Sequence, residues 1–455
     1  MTSDAPRFTI IGAGLAGALL ANFLTKVGVR VDVYERRRDP RRSGFTGGRS
    51  INLAISERGI NALRGVGLAD SILAQAIPMR GRMIHAPDGA TTFQPYDKDP
   101  ARCIRSISRA DLNLALVEAA ERNDNVRFHF DATCVEVDLD RAAARCAAAG
   151  AAKNSDESPE RAESWTDGSV LIGADGAYSA VRAAMQRQQR FDYSQSYLAH
   201  GYKELAIPAD AGGAFQMEKN ALHIWPRRKL MMIALPNRDG SFTCTMFWPF
   251  DGAAGFGSIR TDSEVRQFFD QNFPDALPLM PALVEDYAKN PVGTLVTVRC
   301  APWHYRDRAV LVGDAAHAIV PFYGQGMNAA FEDCVELDRC IHKHAMNLEH
   351  AFEEFSRVRK PNVDAIADLA LSNFVEMRDH TGKRRFRARK AAERGLHRLL
   401  GFWYAPLYTL ISFTNVPYAE AVRRTRRQER IVIAAAITAL IAIIIWAVFR
   451  FTGGP

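Results

Sequence analysis

"FTIIGAGLAGALLANFLTKVGVRVDVYERR", residues 8–37, is the stretch on which the fold turns. Residues 8–11 are an apolar strand, Gly12, Gly14 and Gly17 fit G-x-G-x-x-G, residues 15–27 have helical spacing, and residues 29–34 form a second strand ending in Glu35. A glycine triplet alone is weak, but strand, glycines, helix, strand and terminal acid in this order mark a dinucleotide-binding βαβ unit. Gly12 permits the tight turn, Gly14 lets the backbone approach a pyrophosphate, and Gly17 allows close helix packing. The helix N-terminus stabilises the anion, and Glu35 accepts hydrogen bonds from a ribose diol. This unit leaves NAD, FAD and NADP open, since Arg36 and Arg37 could meet a 2′-phosphate.

Two later stretches narrow the choice. In residues 311–328, LVGDAAHAIVPFYGQGMN, an apolar strand ends in Gly313-Asp314, and Gly324, Gly326, Met327 and Asn328 head a second helical run. FAD is too long for one βαβ unit: its ribityl chain and isoalloxazine need hydroxyl acceptors and a helix dipole elsewhere. Both glycine turns then serve one cofactor. Residues 171–182, LIGADGAYSAVR, supply a third element, a strand followed by the Asp175-Gly176 turn and a helix start.

With G-x-G-x-x-G, a central DG and a late GD in this order, the chain resembles the group A flavoprotein monooxygenases, in which the DG stretch is implicated in both FAD and NAD(P)H binding. Longer stretches at residues 48–56, 79–85, 190–195, 222–227 and 231–237 resemble the kynurenine 3-monooxygenase family, and the likeness runs from residue 7 to about residue 425. It implies FAD as cofactor, NADPH and O₂ as co-substrates, and hydroxylation of L-kynurenine to 3-hydroxy-L-kynurenine through a flavin C4a-hydroperoxide. It selects Arg82, Tyr96, Asn373 and Tyr408 as substrate contacts, Arg82 for the amino-acid carboxylate, which a guanidinium fork can pair bidentately. For the cofactor it selects Ala16, Tyr34, Glu35, Arg36, Arg37, Ala54, Arg109, Cys134, Asp314, Met327 and Asn328. The aniline nitrogen activates the ring carbon that is attacked, so no protein acid or base is assigned. Orientation and water exclusion are the protein's part, with residues 321–323, Pro-Phe-Tyr, as an apolar wall. Two other readings stay open: a membrane-anchored hydroxylase of another aromatic such as a quinone precursor, and a non-catalytic flavin-bearing membrane protein.

Net charge is +7, but residues 383–398 and 423–430 carry net +7 and +4, so the rest of the chain is net −4. That distribution speaks against a nucleic-acid partner. Residues 431–449, IVIAAAITALIAIIIWAVF, are nineteen without a charge, close to the roughly 20 that cross a bilayer. The preceding arginines put that side in the cytoplasm and would attract anionic headgroups. The first seven residues do not read as a secretory signal. A single-pass C-terminal anchor with a cytosolic catalytic body is therefore expected, in a bacterial inner or a mitochondrial outer membrane. The seven cysteines are scattered without metal-ligand spacing, so neither a disulfide framework nor a metal site is expected.

The fold class expected is α/β: a Rossmann-like FAD-binding domain (residues 1–110, 111–180 and 298–345) with an inserted β-sheet substrate domain (181–297) like that of p-hydroxybenzoate hydroxylase, a helical C-terminal region (346–430) and one transmembrane helix (431–449). Residues 141–163, Ala-rich and then polar, read as a surface excursion. The oligomeric state is left open.

Overall fold

A computed structural model of the chain describes residues 6–43, 52–97, 99–148, 163–252, 254–379, 395, 401 and 404–452. Most of the basic stretch at 383–398, residues 149–162 of the Ala-rich excursion and the first part of the 48–56 motif lie outside the described residues.

The opening strand, Arg7–Ile11, sits inside a six-stranded sheet ordered His304–Tyr305, Ala309–Leu311, Val170–Gly173, Arg7–Ile11, Arg30–Tyr34, Val126–His129. All pairings are parallel except the first. Phe8, Ile10 and Ile11 are buried, as a central parallel strand covered on both faces requires. Gly14 in extended backbone starts the helix Leu15–Leu24. Its Ala18, Leu19, Leu20 and Ala21 are fully buried, and Asn22 Nδ2 donates across to Leu116 O of the helix Arg109–Glu121 at 2.9 Å. Gly28 in the left-handed region then turns the chain into the second strand. Residues from all three expected segments thus form one core around this sheet.

A seven-stranded sheet stands against this domain, ordered Gly293–Ala301, Asp192–Ile207, Phe242–Pro249, Leu230–Pro236, Ala221–Arg227, Gly81–His85, Thr91–Pro95. Its last two strands come from the stretch assigned by sequence to the FAD-binding domain. They join because Gly81–Ile84 pairs in parallel with Ala221–Ile224, a long-range pairing with no local signal. Period-two alternation gives the sheet two faces. One packs Leu205, Ile207, Trp225 and Met232 under the helix Asp262–Asn272, where Asp275 accepts from Trp225 Nε1 and contacts His85 Nδ1 at 2.6 Å. The other face, with Ile224, Met231 and Phe247, meets Val320, Phe322 and Phe374.

The C-terminal region is helical in its described parts. Leu348–Asp379 runs past Pro361, held by buried Phe352, Phe355, Val363 and Ile366. Tyr418–Thr452 is one 35-residue helix whose first turns bury Tyr418 and Ala421, whereas Ile431, Ile443 and Trp446 are 58–61% exposed. It is long and apolar enough to cross a bilayer by length and composition.

Candidate active site

The cleft between the two sheets begins at the first glycine turn. Gly12 has φ +105°, and a Cβ there would lie 2.5 Å from Ala174 O; at Gly17 it would lie 1.9 Å from Gly12 O. Neither position admits a side chain. At Gly14 a Cβ would meet nothing within 4 Å. That open space beside a helix N-terminus is what a pyrophosphate needs. Glu35 accepts from Ala13 N at 2.9 Å and Arg37 N at 3.0 Å, so its carboxylate braces the loop it serves. Tyr34 stacks on His129, 4.5 Å between centroids, while Arg36 and Arg37 are exposed. Ala16 accepts from Cys334 Sγ through its carbonyl.

The second glycine turn closes over the first. Asn328 is fully buried: its Nδ2 donates to Ala54 O and Gly324 O, each at 2.9 Å, and its Oδ1 accepts from Ser56 N at 3.0 Å. The amide thereby clamps Ala54 to the turn and is committed to the protein. Gly324 adopts φ +66°, and Met327 packs on the main core. Asp314 keeps exposed surface, yet desolvation by the protein packed around it raises its carboxyl pKa, against the pull of His317 and Arg109. Arg109 is exposed to the same space, and its field also reaches Glu204 and Tyr202. Behind Gly313, Asp333 accepts from Gly313 N at 2.9 Å, contacts His317 Nε2 at 2.5 Å and accepts from Arg359 Nε at 2.8 Å. Burial would raise Asp333, but His317 and Arg359 outweigh it and hold the carboxyl below its usual range.

Asp175 of the DG turn accepts from Ala180 N at 2.6 Å, and its other oxygen is buried without a partner. Arg182 joins the DG and GD turns by donating to Ala177 O at 2.6 Å and Ala315 O at 2.7 Å. Cys134 lies farther out, half-buried, its thiol donating to Glu136 O at 3.6 Å.

At the other end of the cleft, three side chains distant in sequence converge. The Arg82 guanidinium carbon lies 5.7 Å from the Tyr96 ring centroid and 5.1 Å from that of Tyr408, and the two rings stack at 5.1 Å. Arg82 Nε and Tyr96 Oη are both out of solvent with no well-aligned hydrogen bond. Burial pushes the Tyr96 hydroxyl well above its ordinary pKa, which keeps it a neutral donor. Tyr323 lies 6.0 Å from Tyr408. Asn373 donates from Nδ2 to Phe322 O at 2.6 Å, fixing the turn Pro321–Tyr323 to the long helix. Phe322 packs against Phe247 and Phe374, at 5.0 and 4.4 Å, inside a buried cluster.

Sequence reading assigned no role to several residues that hold this cleft. Gln325, 3% exposed, accepts from Tyr418 Oη at 3.0 Å. The Arg58 guanidinium lies 3.8 Å from the Tyr418 ring centroid and donates to Glu332 at 2.5 Å and Ile411 O at 3.0 Å. Glu204 is part-buried, its carboxyl pushed up to about 7 by burial against the pull of Arg109. Gln325 and Arg182 stood inside the quoted motifs; Arg58, Glu204 and Tyr418 had no local signal.

Residues 7–368 match the FAD binding domain family. The chain is 50% identical over 410 residues to the kynurenine 3-monooxygenase of Myxococcus xanthus, covering 90% of this chain and 86% of that one. With the kynurenine 3-monooxygenase of Dictyostelium discoideum it shares 47% identity, covering 91% and 89%. Among solved structures, the fold is similar to 2-methyl-3-hydroxypyridine-5-carboxylic acid oxygenase (TM-score 0.66, 19% identity, 84% and 95% covered). A probable FAD-dependent monooxygenase from Pseudomonas aeruginosa is similar too (TM-score 0.65, 19% identity, 85% and 100% covered).

Proposed function

This chain belongs to the kynurenine 3-monooxygenase family of FAD-binding monooxygenases, and on that premise we propose which of its side chains hold the substrate and where the chain resides. The enzyme hydroxylates L-kynurenine to 3-hydroxy-L-kynurenine with FAD, NADPH and O₂. FAD, when bound, takes reducing equivalents from NADPH and activates oxygen. Gly12, Gly14 and Gly17 with Glu35 hold its pyrophosphate and adenosine side; Asp314, Arg109 and the helix opening at Gly326 hold its flavin side.

The observation that carries the substrate assignment is the pair of orphaned buried atoms, Arg82 Nε and Tyr96 Oη, meeting beside Tyr408. Leaving such donors unmade is costly, roughly 1–3 kcal/mol each, and a carboxylate accepts from both. Kynurenine's amino-acid head docks there, and its aminophenyl ring extends along the wall of Phe322 and Phe247. Asn373 acts chiefly by setting that wall. The apolar enclosure excludes water from the oxygen-transfer step.

Residues 431–449 form a single-pass anchor in this reading, with the catalytic body on the cytosolic side of a bacterial inner or mitochondrial outer membrane. Its support is the exposed apolar surface of that helix and the arginines preceding it. A chain ending before residue 431 is expected to leave the membrane fraction.

Stopped-flow reduction of the detergent-solubilised holoenzyme by NADPH, with and without L-kynurenine, followed by product mass after oxygen is admitted, tests the substrate site. Acceleration by kynurenine in the wild type, and its loss at equal FAD content in Arg82→Ala, is the expected pattern. Equal acceleration in both proteins would remove Arg82 from the substrate site.

A further inference from the structure

Outside the cleft's working surface, two of the seven cysteines face one another. Cys134 lies on the strand Ala132–Asp138 and Cys146 on the antiparallel strand Ala143–Ala148. Their Cα atoms are register partners: Glu136 pairs with Arg145 and Cys134 with Cys146, the intervening Val135 being skipped by a bulge. Facing residues of an antiparallel pair have Cα atoms about 4.5–5.5 Å apart, inside the roughly 4.4–6.8 Å that a disulfide spans. Both thiols are free. Cys146 is 5% exposed in the core, whereas Cys134 is half-buried and gives the pair its access to solvent. Cys134 Sγ donates to Glu136 O at 3.6 Å on its own strand, and the sulfurs of Cys300, Cys334 and Cys340 likewise lie against carbonyl or carboxylate oxygens.

The strand bearing Cys134 frames the acid at the end of the first βαβ unit. Glu35 N donates to His129 O and Ala132 N donates to Glu35 O, each at 2.9 Å, and Asp131 N donates to Arg37 O at 3.1 Å. A displacement of residues 129–134 therefore reaches Glu35 through two main-chain hydrogen bonds. We infer that Cys134 and Cys146 are an oxidisable dithiol, closed to a disulfide by peroxide, whose closure loosens the hold of this pocket on FAD.

The chemistry balances. The Cys134 sulfur, the one of the two with access to solvent, attacks one oxygen of H₂O₂. The O–O bond breaks, an S–O bond forms, and the departing oxygen leaves as water with the thiol proton. The Cys146 sulfur then displaces the S–OH oxygen; an S–S bond forms, the S–O bond breaks, and the second oxygen leaves as water with the Cys146 proton. Two thiols lose two electrons and one peroxide becomes two waters. The oxidant is a side product of this enzyme class: O₂ reduced by NADPH without a hydroxylated substrate gives H₂O₂. Closure holds Cys134 and Cys146 in the fixed dihedral of a disulfide, and the main-chain bonds of Asp131 and Ala132 pass the readjustment of residues 129–134 on to Arg37 and Glu35.

The test treats reduced holoenzyme with H₂O₂ and reads intact mass, a non-reduced peptide map and FAD release by flavin fluorescence. Expected are the loss of two hydrogens, a Cys134–Cys146 peptide that dithiothreitol reverses, and FAD release faster by about fivefold or more, equivalent to a modest change in binding. Cys146→Ser removes both the crosslink and the peroxide sensitivity of release. The inference is overturned if the wild-type map holds no such crosslink, if crosslinked protein releases FAD at the reduced rate, or if Cys146→Ser loses FAD under peroxide as the wild type does.

Discussion

The two ends of the cleft are built by different means. At the dinucleotide end the surface offered to a ligand is largely backbone: the open side of Gly14, the N–H groups of a helix start, and a carboxylate that braces its own loop. At the aromatic end it is side chain, with Arg82, Tyr96 and Tyr408 brought together from three segments remote in sequence and two polar atoms left unpaired. A backbone site is set by steric permission, so its failures should be all-or-none. A side-chain site is a sum of polar contacts, so its failures should be graded and separable from folding.

The sharpest break of this contrast is Gly14→Val. Since a Cβ at Gly14 meets nothing within 4 Å, the variant should fold, whereas its side chain takes the space of the pyrophosphate. Expected is protein with native circular dichroism that carries no flavin absorbance after purification, a loss beyond ~100-fold in FAD affinity, or about 2.7 kcal/mol. Retained yellow colour would mean that the pyrophosphate lies elsewhere.

Next in size, Arg82→Ala should leave FAD content intact and weaken kynurenine by roughly 2–5 kcal/mol, the usual range for removing one partner of a buried hydrogen-bonded charge pair. Arg82→Lys should recover only part, because an ammonium cannot present the guanidinium fork. The kynurenine Kd from equilibrium titration checks this, and a fall in FAD content with Arg82→Ala would erase the separation between the two ends.

A third test asks how the ends communicate. Glu204 on the substrate sheet faces Arg109, which serves the cofactor side, with Tyr202 and Asp314 as the other titratable groups noted around that guanidinium. Burial raises the Glu204 carboxyl from 4.5 to about 7. A carboxyl raised on folding keeps its stabilising proton below the unfolded pKa and loses it as pH climbs through the folded one. The wild type should therefore lose stability between pH ~4.5 and ~7, on the order of 1 kcal/mol for a group that keeps part of its solvation. Glu204→Gln should flatten that fall. Melting temperatures at pH 5 and pH 8 decide it; equal slopes would remove Glu204 from the link.

The contrast also explains what could be read from sequence. Steric permission is local, so Gly12, Gly14, Gly17, Glu35 and Gly324 announced themselves by spacing, and the first βαβ unit took the form expected of it. Side-chain convergence is non-local. Arg82 and Tyr408 had no intrinsic signal and were named only through resemblance, and the strands Gly81–His85 and Thr91–Pro95 joined the substrate sheet through a parallel pairing that no turn announces. The clamps were the least visible. Asn328, named as a cofactor contact, proved to spend its amide on Ala54, Gly324 and Ser56, and Arg58 and Tyr418 meet only because the C-terminal helix packs back on the second glycine turn.

That last packing carries the smallest expected effect. Tyr418 opens the helix that becomes the apolar segment, and its hydroxyl donates to Gln325, between Gly324 and Gly326 of the flavin-side turn. The phenol is fully buried and its pKa is raised by burial above all, so it stays a neutral donor at any working pH. Tyr418→Phe keeps the ring under Arg58 and removes one neutral hydrogen bond. The cost should be about 1 kcal/mol, read as severalfold faster FAD release with kynurenine affinity of the remaining holoenzyme unchanged. If kynurenine binding falls instead, the helix positions the aromatic end, where Tyr323 and Tyr408 lie 6.0 Å apart, and not the flavin-side turn. If neither moves, the buried hydroxyl is only a structural tie. The graded outcome would place the root of the apolar helix on the backbone-built half of the cleft, one hydrogen bond from the turn that receives the flavin.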